Sequence, residues 1–182
     1  MSYKKWIFIA IFLFGIAVVI GVFTPASITS LLSEDIAALK QLSSLLAPFN
    51  ILTLIFIFAK NTSVLLLSFA LSPLLLLVPI LTLTINGWLI AFISAAVIEE
   101  KSLGFVLAGL LPHGVFELPA LILGQAAALS FGTMVMLALF KKEKRNLLLP
   151  NLKQNLKYLI LALALLIPAA IIETYLTPLL LT

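Results

Sequence analysis

The 182-residue chain has no cysteine and a single histidine. Disulfides, thiolate nucleophiles, iron–sulfur centres and zinc–thiolate sites are therefore excluded. Charge is scarce too. Asp, Glu, Lys and Arg make up 10% of the residues, against 63% hydrophobic, and mean hydropathy is +1.28. A water-soluble domain carries roughly a quarter charged residues, so lipid is the solvent for most of this chain. A glycine-rich phosphate loop is also missing, so no nucleotide is implied and no cofactor is expected. The basic residues sit beside apolar runs and not among aromatic platforms, which argues against nucleic acid as a partner.

What is present is a series of long apolar runs punctuated by charge. Lys4 and Lys5 open the chain, and Lys141, Lys142, Lys144 and Arg145 cluster later, followed by Lys153 and Lys157. Basic clusters flanking spans mark the cytoplasmic side. A crossing helix needs about 20 apolar residues, and the first run, near 5–24, is long enough. Its core is longer than a signal peptide's, and "FTPASITS" is a poor cleavage site. A retained helix with a cytoplasmic N-terminus is the expectation. Residues 30–46 alternate leucines with Glu34, Asp35, Lys40 and Gln41 at helical spacing. They read as an amphipathic helix outside the hydrocarbon.

The next apolar run is twice the length of one span. Pro73 and Pro79 divide it, because proline cannot donate the helical hydrogen bond. Spans near 48–72 and 74–98 result. "EEKS" at Glu99–Ser102 makes a polar hairpin. The run after it, Gly104 to Phe140, is too long for one crossing and too short for three. A half-helix near 103–111, broken at Pro112-His113-Gly114, absorbs the surplus ahead of a span near 115–140. The last span lies near 155–176, with Pro168 as a kink, Glu173 and Tyr175 at the outer interface, and the C-terminus outside. The fold class is an all-α, polytopic transmembrane bundle of about five spans in one domain, in the cell (cytoplasmic) membrane.

The polar residues stranded in these runs are the candidate site. His113 and Glu117 are four apart, one face of a helix. Ionisable groups within a membrane face a cavity, a partner or a pathway. A hydrogen-bonded clamp is the plainest reading: His113 with Glu117, or either with Asn61 or Asn86 on neighbouring spans. A proton relay, a metal site or a polar-ligand site is the sharper one. For a metal, His113 and Glu117 give two ligands, short of the three typical of catalytic zinc. "HGVFE" is not the H-E-x-x-H of metalloproteases. Glu99-Glu100 lacks the other residues that paired-glutamate membrane proteases use, and Lys60 has only Ser63 as a weak serine–lysine companion. Lys60 is instead an auxiliary charge that snorkels or pairs with Glu117 or a lipid phosphate. Pro112, Gly114 and Pro119 mark local backbone features around the pair. Gly124, Ala127, Ala128 and Gly132 form a small-residue face suited to close packing, within the chain or in a homodimer.

The stretch "LLPHGVFELPALILGQAAALSFG" (Leu110 to Gly132) closely resembles the signature of the stage II sporulation protein M family of integral membrane proteins. "FAKNTSVLLLSF" resembles that family's asparagine-bearing span, and "PILTLTINGWLIAF" its span with Asn86-Gly87. The resemblance runs from about Phe49 through the last span. The family often has a doubled asparagine where this chain has Lys60-Asn61. The resemblance implies a scaffold: the name member works with two wall-cleaving partners during engulfment, although many relatives occur in organisms that form no spores. The expectation is a non-enzymatic scaffold or complex subunit whose partners are the bilayer and other membrane or envelope proteins. The alternative is a solute or ion transporter built on His113, Glu117, Asn61 and Asn86. An intramembrane metal-dependent hydrolase ranks third.

Overall fold

The computed structural model describes residues 3–25, 28 and 47–181. The amphipathic helix expected at residues 30–46 lies outside them. Five long helices carry the fold: α1 Tyr3–Val22, α2 Ile51–Leu71, α3 Leu77–Glu100, α4 Leu103–Phe140 and α5 Leu148–Ile171. A 3₁₀ turn, Lys142–Leu147, joins α4 to α5. A π-helical turn, Ile172–Leu176, comes after α5 and leads into the short α6, Thr177–Leu180. The described residues contain no strand. By length and composition, five helical segments can cross a membrane.

Local chemistry sets the boundaries. The Asn50 side chain accepts from Leu52 N–H at the start of α2, and the Ser102 hydroxyl accepts from Phe105 N–H at the start of α4. Both satisfy donors that an α-helix leaves unpaired at its first turn. Between α2 and α3 the chain reverses through Leu75 and Leu76, both left-handed at φ 53° and 61°. Pro79 falls in the first turn of α3, where its missing N–H costs nothing.

The run around Pro112-His113-Gly114 corrects the sequence reading. There is no half-helix at 103–111: α4 is one continuous helix of 38 residues with Pro112 and Pro119 inside it. Each proline removes one hydrogen bond, which a helix supported by its neighbours tolerates. The surplus length goes into a helix of about 57 Å, against a hydrocarbon core of about 30 Å.

α4 is the central post. Its stretch from Gly124 to Ser130 is entirely buried. In lipid the hydrophobic effect does not drive helices together, so contact depends on small residues and polar ties. The small-residue face proves internal. A Cβ on Gly124 would meet the Leu65 side chain of α2, and one on Gly132 would meet the Ser72 carbonyl. Gly87 serves α3 in the same way: a Cβ there would lie 2.7 Å from the Phe14 carbonyl of α1. Gly114, also buried, has no such neighbour, since the nearest atom is a Leu110 side-chain carbon at 3.9 Å.

These contacts also fix directions. Gly21 meets Trp88 and Phe92, while Gly87 meets Phe14 and Ala17, so α1 and α3 run parallel. Asn61 pairs with Glu117, Ser68 with Gln125, and Ser72 abuts Gly132, so α2 and α4 run parallel too. Thr177 reaches back to His113, and Leu181 to Gly109, which makes α5 with its continuation antiparallel to α4. Each helix therefore reverses its predecessor. Tyr3, beside Lys4 and Lys5, meets α4 at Leu123, about 27 Å of helix before the cluster at Lys141 to Arg145.

Candidate functional site

The site is built on α4. Residues four apart on a helix share a face, and His113 Nε2 stands 3.7 Å from Glu117 Oε2. That distance is too long for a hydrogen bond. The His113 side chain is 12% exposed and that of Glu117 31%.

α2 brings the first partner. Asn61 Nδ2 donates to Glu117 Oε1 at 3.0 Å. Asn61 is the midpoint of the 21-residue Ile51–Leu71 helix, about 15 Å from either end at the α-helical rise. A helix of that length is just enough to span, so the cluster lies near the mid-height of the bundle. The clamp between Asn61 and Glu117, one of several pairings expected from the sequence, is present.

The turns that follow α5 bring two more residues, Glu173 and Thr177, neither of which the sequence reading placed in the site. His113 Nδ1 lies 3.4 Å from the Thr177 hydroxyl, which is buried. Glu173, expected at the outer interface, instead offers a carboxylate oxygen within 4.8 Å of ligand atoms on both His113 and Glu117. Glu173 lies in the π-helical turn at Ile172–Leu176, and Thr177 directly follows it. The sequence did carry a signal: an acid and two threonines within an otherwise apolar run. Extended from the buried residues Leu159, Ala162, Leu166 and Ala170, helical periodicity places Glu173 and Thr177 on the face that meets α4.

Asn86 and Lys60 complete the surroundings without joining the hydrogen bonds. Asn86 Nδ2 donates to the Thr82 carbonyl on its own helix at 2.7 Å. Together with Lys60, Asn61 and Glu117 it lines a cleft of about 40 Å³. Lys60 is on an exposed part of α2. The space suits water or a bare ion; a site for an organic ligand is much larger.

Two turns of α4 further along, a second tie joins the same two helices. Ser68 Oγ donates to Gln125 Oε1 at 2.5 Å, and both residues are fully buried. The Gln125 amide nitrogen has no partner among the described residues. The sequence reading did not single out this pair. On the other side, Tyr3 of α1 donates its hydroxyl to the Leu123 carbonyl at 2.7 Å and stacks on Tyr158 of α5. α1 is thereby tied into the bundle's centre.

The arrangement can hold helices together, bind an ion, or pass protons between carboxylates and an imidazole.

The stage II sporulation protein M family matches residues 10–178 of this chain. An uncharacterized protein of Methanocaldococcus jannaschii is 29% identical over 99 residues, which cover 54% of this chain and 56% of that protein. The match thus spans about half the length of that relative. No solved structure matches. With nearly its whole length matched, and with the Pro112-His113-Gly114 and Glu117 core at the bundle's centre, the chain belongs to the stage II sporulation protein M family.

Proposed function

We propose that this protein is a non-enzymatic scaffold or subunit of a membrane complex, with its N-terminus cytoplasmic and its C-terminus outside. One observation carries the reading: two polar pairs tie neighbouring helices together. Asn61 holds Glu117 and Ser68 holds Gln125, so α2 is fixed to α4 at two levels. A rigid bundle of this kind presents a constant surface to other membrane or envelope proteins, or to a second copy. The basic residues Lys4 and Lys5 and the cluster at Lys141 to Arg145, each flanking an apolar run, support the orientation.

Chemical cross-linking in native membranes, followed by purification, tests this. The scaffold reading expects a stoichiometric partner or homodimer, and no proton or cation flux in liposomes. Flux that disappears in both Glu117→Gln and His113→Ala, with the fold retained, would replace it with the transporter reading. The cleft of Lys60, Asn61, Asn86 and Glu117 favours that second reading. Against it stands the continuity of α4, since transporters commonly bind at broken helices.

A further inference from the structure

The trio His113, Glu117 and Glu173 has geometry that mutual hydrogen bonding does not explain. Three ligand-capable atoms lie within 4.8 Å of one another. The His113–Glu117 approach of 3.7 Å exceeds hydrogen-bond reach. It is close to the roughly 3–3.5 Å that neighbouring ligands keep around one first-row ion bonded at about 2.0–2.2 Å. Two carboxylates in a deep, largely apolar setting also call for a positive charge between them.

The surrounding groups have the placement of supports for ligands. Asn61 donates to one oxygen of Glu117 and leaves Oε2 directed at His113. Thr177 sits at Nδ1 of the imidazole, so Nε2 is the nitrogen turned inward. Metal-bound histidines and carboxylates are held in this way by hydrogen bonds to their outer atoms. The cleft beside Glu117 is of ion or water size, and Glu117 is the one member of the trio that lines it. Lys60 lines that cleft from an exposed position and is the competing source of positive charge.

We propose that His113, Glu117 and Glu173 bind one divalent first-row cation, of the Mn²⁺ or Zn²⁺ type, at the centre of the bundle. One nitrogen and carboxylate oxygens suit such ions. The ion pins the π-helical turn of Ile172–Leu176 to α4, locking α5 in place. Its role is structural, and the scaffold reading stands or falls independently of it.

The test uses full-length protein in detergent, with any affinity tag removed, stripped with chelator and then exposed to Mn²⁺ or Zn²⁺. His113 is the only histidine in the chain. Pulsed electron paramagnetic resonance of bound Mn²⁺ therefore reports it directly: imidazole nitrogen coupling can come from nowhere else. The expected result is about one ion per chain with that coupling, a raised Tm for both metals, and at least a roughly tenfold loss of affinity in Glu173→Gln. No retained ion at low-micromolar metal, or bound Mn²⁺ without nitrogen coupling, overturns the proposal. So does Glu173→Gln with unchanged affinity. If Glu173→Gln fails to fold, the wild-type nitrogen coupling decides alone.

Discussion

Asn61 and Glu117, 56 residues apart in sequence, meet through a 3.0 Å hydrogen bond at the middle of the bundle. The bond joins the midpoint of α2 to the central helix α4 and orients the carboxylate that faces His113. Its removal should cost stability in proportion to an interhelical bond in lipid, about 0.6–2 kcal/mol. Asn61→Leu should lower the detergent-unfolding midpoint by that amount. Asn61→Asp, which places an acid against Glu117, should lower it further. An Asn61→Asp protein as stable as wild type would mean that the pair does not bear on the fold.

Two glycines on α4 should respond in opposite ways. A side chain at Gly132 collides with the Ser72 carbonyl, which is backbone and cannot swing aside. Gly132→Ala is expected to destabilise by roughly 1–3 kcal/mol, the usual range for overpacking. Gly114→Ala meets nothing closer than 3.9 Å and should gain about 0.5–1 kcal/mol, because glycine weakens a helix interior. Thermal melts of the two variants side by side check this, and equal effects would contradict the packing described.

Ser68 and Gln125 offer a double-mutant cycle. Ser68→Ala leaves the buried Gln125 amide with neither of its ends paired. The expected loss is about 1–3 kcal/mol. Adding Gln125→Leu should recover most of it, since replacing both partners of a buried bond by apolar groups is nearly neutral. Simple additivity of the two losses would show that the residues do not act on each other.

The continuity of α4 is measurable by distance. Spin labels at Leu103 and Pro119 should lie roughly 24 Å apart along one helix. A chain folded back at Pro112-His113-Gly114 would bring them to about half that. The shorter distance would restore the half-helix.

Alternating directions predict accessibility. Cysteines placed at Lys4 and Lys142 should react with a membrane-impermeant thiol reagent from one face, and one at Lys101 from the other. Because the chain has no native cysteine, the labelling background is clean. Labelling of all three from the same side would break the five-crossing topology.

The sequence by itself determined the class of solvent, the number of crossings and the first half of the site. Apolar run length decides whether a segment can sit in hydrocarbon, and that needs no neighbours. The spacing of His113 and Glu117 fixes their common face through helix geometry alone, and Asn61 was a foreseeable partner because a polar group in lipid must find one. What only the tertiary structure decided is which neighbour each group found. Pro112-His113-Gly114 read as a break, yet with other helices packed around it α4 runs through as one helix. The small face of Gly124 and Gly132 served equally for a dimer or for α2 until the fold chose α2. Glu173 and Thr177 continue the buried stripe of α5, and only the fold aims that stripe at His113 and Glu117. Spacing gives a stripe its face, but the helix it meets is set by contacts some sixty residues away in the chain.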